Sequence, residues 1–340
     1  MKMRAARLTL GVAVAAVMLG GIAVAQRPGA GVSRECRREV IKLCGLSGGR
    51  AGIRSCLTEK YTSLSEGCRT EILSAASARA AASAKLPEGA RALPYGSDTA
   101  QTLDLWPSGK PGKSPLVVFI HGGGWSIGDK RTGVGEKDTH FVANGYAFAS
   151  LNYRLVPKVT PAEQAQDVAN ALALLRQQPG IDPDRIVIIG HSAGAHLAAL
   201  VGTDPRYLAQ AGVPIESVRG VVLLDGAGYD VAKQMAAPGN IVSGMYKAAF
   251  TTDPKRQADL SPMTFAAAPN AANWLIINDA DRPDSQAQSD MLAAALTKAG
   301  ARAERMPIVN TSHMLLNQNV GKAGDAETAR IDAFVAEVVR

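Results

Sequence analysis

The chain has 340 residues, 46% hydrophobic and 20% charged, with a mean hydropathy near zero, which excludes a disordered polyelectrolyte and a polytopic membrane protein. Its net charge of +7 is unevenly spread: residues 26–85 carry 11 basic against 5 acidic side chains, and residues 86–340 carry 23 against 25. The long C-terminal stretch is thus close to neutral, where a nucleic-acid enzyme would concentrate its positive charge.

Residues 1–25 read as an export signal. Lys2, Arg4 and Arg7 form a basic start, Leu8 to Leu19 an apolar run, and Ala23-Val24-Ala25 a small-residue cleavage site. An uncleaved anchor is the rival, but Gly11, Gly20 and Gly21 interrupt a span that only reaches the lower limit for crossing a bilayer. The expectation is a mature chain starting near Gln26, periplasmic or secreted, with no stable membrane insertion after cleavage.

All four cysteines, Cys36, Cys44, Cys56 and Cys68, fall in one short segment. In an exported chain an even cluster implies two disulfides, and three pairings are open. Helices are expected over Ser33 to Cys44 and Arg50 to Tyr61, with a third after Ser65-Glu66-Gly67. If the first two form a hairpin, the nested pairing Cys44 with Cys56 and Cys36 with Cys68 is geometrically easiest. Zinc is the weaker reading, since no C-x-x-C pair occurs. With Cys44, Ile53 to Leu57 and Leu64 to Arg69, residues 33–75 resemble the cysteine-rich repeat of Golgi apparatus protein 1, which implies a stapled helical module without a particular activity. The module and its linker occupy residues 26–85, and the main domain residues 86–340.

Beyond Pro87, apolar runs alternate with amphipathic stretches. Strands are expected at 102–106, 115–120, 146–153, 185–189, 218–224, 274–277 and 302–309. Helices are expected at 162–178, 192–201, 285–299 and 325–339. Nearly continuous apolar strands between helices mean a mostly parallel sheet covered on both faces, an α/β fold.

Two glycine-rich pieces follow strands directly. In Gly190-His191-Ser192-Ala193-Gly194, a strand-to-helix turn would project Ser192 at the carboxyl edge of the sheet beside a helix N-terminus. In His121-Gly122-Gly123-Gly124-Trp125, backbone N–H groups of Gly123 and Gly124, with that of Ala193, are the candidate donors to an oxyanion. A phosphate loop is excluded by the missing Lys-Ser/Thr pair. His121 is read as a brace of its loop, and Trp125 as a wall of the substrate pocket or a core residue.

A serine hydroxyl needs a base, and the base needs an acid to orient it. Of the five histidines, His313 follows the strand at 302–309, where the chain order Ser, acid, His puts the base. His140, His191 and His196 lack that setting. The acid is expected on the loop Asn278 to Asp284, with Asp281 chosen ahead of Asp279 and Asp284, and Asp225 as a substitute that could instead cap its loop. The stretch Gly226 to Pro262, with Met235, Met245, Tyr246 and Phe250, is a candidate lid.

Together with Tyr95-Gly96, Gly128-Asp129-Lys130, Asn152-Tyr153-Arg154 and Gly194 to Leu197, these motifs make residues 95–340 resemble the α/β-hydrolase superfamily, in particular bacterial carboxylesterases of the hormone-sensitive-lipase and feruloyl-esterase-like groups. The resemblance implies a Ser-His-Asp hydrolase that cleaves small or aryl esters through an acyl-enzyme, with no metal or organic cofactor. One departure concerns the acid: Asn278-Asp279 stands where such loops place a glycine before the aspartate. An arylformamidase-like amide hydrolase and a noncatalytic hydrolase-fold binding protein are the alternatives. Oligomeric state is not legible.

Overall fold

The computed structural model describes residues 32–45, 53, 56–57, 60, 63–69, 71–72, 86–236 and 243–340. The expected export signal, most of the helix expected at 50–61 and the end of the module with its linker, residues 73–85, lie outside them. The chain divides into two compact units: the first runs to Lys85 and takes in residues 239–243, and the second comprises Leu86–Pro238 and Gly244–Arg340.

In the first unit, helix α1 (Arg34–Cys44) starts at Ser33, whose hydroxyl accepts from the Cys36 N–H at 3.1 Å. Cys36 and Val40 turn inward onto Leu57, Leu64, Cys68 and Ile72. Disulfides join Cys36 to Cys68 and Cys44 to Cys56, which is the nested pairing. So small a core gains from covalent closure, which limits the freedom of the unfolded chain.

The second unit is an eight-stranded sheet in the order β1-β2-β4-β3-β5-β6-β7-β8. The strands are β1 (Arg91–Pro94), β2 (Thr102–Trp106), β3 (Ser114–Ile120), β4 (Ala147–Leu151), β5 (Ile181–His191), β6 (Val218–Leu224), β7 (Asn273–Asp279) and β8 (Arg302–Ile308). Only β2 runs against the others, pairing antiparallel with both β1 and β4. The α/β class expected from the sequence is the class observed. Proline and charge occupy both edges, in Arg91 and Pro94 of β1 and in Arg302, Glu304, Arg305 and Pro307 of β8, which discourages further strand pairing.

Alternation along the central strands builds two cores. Leu116, Val118 and Ile120 of β3 face one side, with α3 (Pro161–Arg176), α4 (Ala193–Thr203) and α9 (Pro283–Lys298), while Val117 and Phe119 face the other, with α2 (Lys137–Ala143) and α11 (Ala326–Val338). The remaining helices are α5 (Pro205–Gln210), α6 (Val231–Ala236), α7 (Ser243–Phe250), α8 (Pro254–Asp259) and α10 (Leu315–Gln318). Helix α3 begins with a capping box, Thr160 and Glu163 each bonding the other's backbone, and Pro161 fills its first turn. Its apolar stripe Ala165, Val168, Ala169, Leu172 and Leu175 is buried as the period required.

Two motifs beside the sheet are polar clamps. Asp104 on β2 is fully buried and takes both Arg131 and Lys130, and Asp167 on α3 is held by Arg154 and Gln101. Buried carboxylates persist only when paired in this way. Among the described residues no helix is long and apolar enough to cross a membrane.

Candidate active site

Because β3, β5, β6, β7 and β8 are parallel, the residues that follow them gather at one edge of the sheet. After β5 the chain reverses into α4 at Ser192, whose φ of 57° and ψ of −120° lie in a region that L-residues seldom occupy. Such a conformation costs roughly 1–3 kcal/mol and is held by its surroundings. Close packing supplies them: a Cβ on Gly190 would meet the Gly194 carbonyl oxygen at 2.3 Å, and one on Gly194 would meet that of Ile120 at 2.2 Å. The spacing G-x-S-x-G is therefore a steric requirement of the turn.

Half-buried Ser192 lies with its Oγ 3.0 Å from Nε2 of His313, so the hydroxyl can donate to the ring. His313 sits between β8 and α10. Its Nδ1 donates to Oδ2 of Asp225 at 2.6 Å, and its backbone carbonyl accepts from Nε2 of His191 at 2.8 Å. His191 is buried, and burial first, then the nearby His313, holds its basicity well below the ordinary histidine value, so it is a neutral donor.

The carboxylate against His313 is that of Asp225, and not the expected Asp281. Asp281 is exposed at the loop after β7, where its N–H donates to Asp279 Oδ1 at 2.9 Å. Asp279 shapes the same turn, and Asp284 pairs with Arg282 Nη2 at 3.0 Å. The physical reason is adjacency. β6 and β7 pair in parallel with Leu224 opposite Ile277, so their ends lie side by side and a carboxylate on either can reach the same imidazole. Asp225 adopts φ 46° immediately after β6, which turns its side chain into a nest of donors: Oδ1 accepts from Ser285 Oγ at 2.8 Å and from the Asp279 N–H at 3.1 Å, and Oδ2 accepts from Arg282 Nη1 as well as His313. Burial alone would raise its pKa, but the His313 hydrogen bond and the charge of Arg282 outweigh it and keep the carboxyl well below its usual range. The sequence held one signal for this residue, an aspartate directly ending the apolar run Val221 to Leu224, and one warning, the missing glycine before Asp279.

The loop after β3 lies against the Ser192 turn, since a Cβ on Gly122 would stand 2.9 Å from that of Ser192. Gly123 has φ 129°, and a Cβ there would fall 1.9 Å from the Ile127 carbonyl oxygen. Its own carbonyl accepts from Ser126 and Ile127, closing a tight turn. Among the described residues the N–H groups of Gly123, Gly124 and Ala193 have no protein acceptor, which leaves them available to a developing oxyanion. Beneath the loop, the Tyr153 hydroxyl donates to the His121 carbonyl at 2.9 Å and the two rings stack at 4.4 Å. His121 is thus a brace.

Trp125, read from the sequence as a pocket wall or a core residue, is 3% exposed and belongs to the core. Its carbonyl accepts from Gln164 at 2.7 Å, its indole N–H donates to His196 Nδ1 at 3.2 Å, and its ring packs on Phe250 and Tyr246. The choice between the two readings goes with its positive φ of 59°, at which the side chain is turned into the core. His196 in turn donates from Nε2 to Leu260 O at 2.8 Å, and burial lowers its pKa to about 4. Of the candidate lid, Tyr246 and Phe250 belong to this aromatic cluster, Met235 is half-buried against the core, and the Met245 side chain lies outside those described.

Comparison with known proteins follows the same geometry. Residues 103–296 match the BD-FAE family. The chain is 31% identical over 265 residues to LipM of Mycobacterium tuberculosis, named a probable carboxylic ester hydrolase, covering 70% of this chain and 58% of that protein. It is 38% identical over 115 residues to esterase LipQ of the same organism, covering 32% and 27%. The chain therefore spans about a quarter to three-fifths of the length of these curated relatives. Among solved structures, esterase B of Lactobacillus rhamnosus superposes with a TM-score of 0.61 at 23% identity, over 77% of this chain and 92% of that one. Esterase 2 of Thermogutta terrifontis does so with a TM-score of 0.60 at 23% identity, over 74% and 93%. What these structures share with the chain is the α/β-hydrolase fold. The family match runs from β2 into α9 and takes in the HGGGW loop, the GHSAG turn and Asp225; by that match the chain belongs to the BD-FAE family.

Proposed function

We propose that the protein is a carboxylesterase in which Ser192 is the nucleophile, His313 the general base and Asp225 the acid that orients it. The observation that carries this reading is the continuous path from Ser192 Oγ to His313 Nε2 at 3.0 Å and from His313 Nδ1 to Asp225 at 2.6 Å. As the hydroxyl attacks an ester carbonyl, its proton passes to Nε2, while the Nδ1–H donated to Asp225 fixes the tautomer that can receive it. The oxygen turned anionic takes the N–H groups of Gly123, Gly124 and Ala193. Collapse expels the alcohol, protonated from Nε2, and leaves an acyl-Ser192. Water, deprotonated by the same nitrogen, then releases the acid and restores the serine.

Small carboxylic esters are the proposed substrates, aryl esters among them, and the esterase names of the relatives fit that class. The two disulfides fit an oxidising compartment, so we read the protein as periplasmic or secreted. The test is labelling by a fluorophosphonate together with hydrolysis of p-nitrophenyl acetate, with N-formylkynurenine run beside it as an amide. Labelling and ester turnover that both vanish in Ser192→Ala support the assignment. Full turnover by that variant would overturn it.

A further inference from the structure

Asp225 is fully buried, and its carboxylate accepts from four donors, of which Arg282 alone carries a permanent charge. The guanidinium bonds Asp225 Oδ2 through Nη1 and Asp284 Oδ2 through Nη2, and its Nη1 lies 2.8 Å from Nδ1 of His313. When Nδ1 holds the proton it donates to Asp225, Nη1 cannot donate to the ring and faces it as a positive charge. A permanent cation thus touches both the acid and the base, and it comes from the loop after β7, where the sequence led us to expect the acid.

We propose that Arg282 is a positioning residue that sets the charge balance of the Asp225–His313 pair: bonded to Asp225 Oδ2 and 2.8 Å from His313 Nδ1, its guanidinium holds the buried carboxylate as the acceptor of the ring and sets a permanent positive charge against the imidazole. The inference rests on the triad reading above. The other groups facing this cluster leave the cation's effect exposed. His191, its ring 4.7 Å from that of His313, is neutral. Burial keeps the hydroxyls of Tyr229 and Tyr246 protonated. Asp284, on α9, is the second carboxylate bonded to the guanidinium, and Asp281 is exposed on the same loop. If Arg282 is removed, Asp225 is left against the ring, and Asp284 behind the lost guanidinium, without the cation that bonds them both, and positive charge on the ring is then opposed less.

The experiment is the pH dependence of kcat/KM for p-nitrophenyl acetate, followed at the isosbestic wavelength, with fluorophosphonate labelling of Ser192 and thermal unfolding measured on each protein. In Arg282→Met and Arg282→Gln the acid limb is expected to move up by about one pH unit, whereas Arg282→Lys, which keeps the charge, holds it near the wild-type position. Asp284→Asn leaves Arg282 less neutralised and should move the limb the other way. An unmoved limb in the Met and Gln variants, with Ser192 still labelled, overturns the proposal. Should those two fail to fold, an unmoved limb in Asp284→Asn overturns it. Wild-type protein that is not labelled at Ser192 would instead refute the triad reading itself.

Discussion

The imidazole of His191 donates to the backbone carbonyl of His313 at 2.8 Å, so the residue before the candidate nucleophile anchors the candidate base, 122 positions away in sequence. The consequence is measurable. In His191→Phe that hydrogen bond is lost and His313 is free to shift; a displacement of about 1 Å at a reacting group can cost on the order of 10²-fold in rate. We expect kcat to fall by about 10–100-fold with KM little changed, and His191→Gln, which can still donate, to recover part of the loss. Equal losses in the two variants would remove the hydrogen bond from the explanation.

Replacing the acid discriminates between adjacent strand ends. Asp225→Asn should lower kcat by about 10³–10⁴-fold, because an amide no longer selects the tautomer with a bare Nε2. Asp281→Asn, at an exposed position away from the ring, should stay within about twofold of wild type. The reverse result would return the acid to the loop after β7.

His196 gives the fold a pH dependence of known sign. Buried between Trp125 and Leu260, it holds a pKa of about 4, against about 6.5 in the unfolded chain. Between those values the unfolded state binds the extra proton, so the stabilisation is complete above pH 6.5 and is lost as the pH falls towards 4. It amounts to about 3 kcal/mol over that window. Urea unfolding at pH 7 and pH 4.5 should show a loss in the wild type that is smaller in His196→Asn; His191, depressed in the same direction, contributes to what remains.

Reduction separates the two units. Mild thiol treatment should open Cys36–Cys68 and Cys44–Cys56 and make the segment around α1 susceptible to protease, while ester hydrolysis by the sheet unit persists. Parallel proteolysis and activity assays check this, and complete loss of turnover on reduction would contradict it.

Much of this molecule could be read from its letters. The central strands announced themselves because a sheet buried on both faces needs unbroken apolar runs, as in Val221 to Leu224 and Leu275 to Ile277. Strand β1 passed unnoticed because Arg91–Pro94 is an exposed edge of four residues ending in proline. Helix α2 did so because Lys137, charged in sequence, is buried, its ammonium bonded to the carbonyls of Val134 and Asn317. The meeting of Ser192 with His313 was legible because local turn chemistry and chain order constrain where each side chain falls. Asp281 was preferred to Asp225 because the carboxylate that meets His313 depends on which of two neighbouring strand ends carries it, a relation across the sheet that no local pattern encodes. Trp125 stayed open between pocket and core because a motif fixes its place in the loop but not the backbone sign that sends the ring inward.

The pairing of β6 with β7 thus makes a ledge on which two strand ends lie side by side, and in this chain the carboxylate that meets the imidazole stands on the β6 end. A search template that demands an aspartate after β7 would be satisfied by Asp279 or Asp281 in this chain and would pass over the carboxylate bonded to His313. Both strand ends therefore have to be weighed together when the partner of such an imidazole is sought, since one register brings each within reach of it.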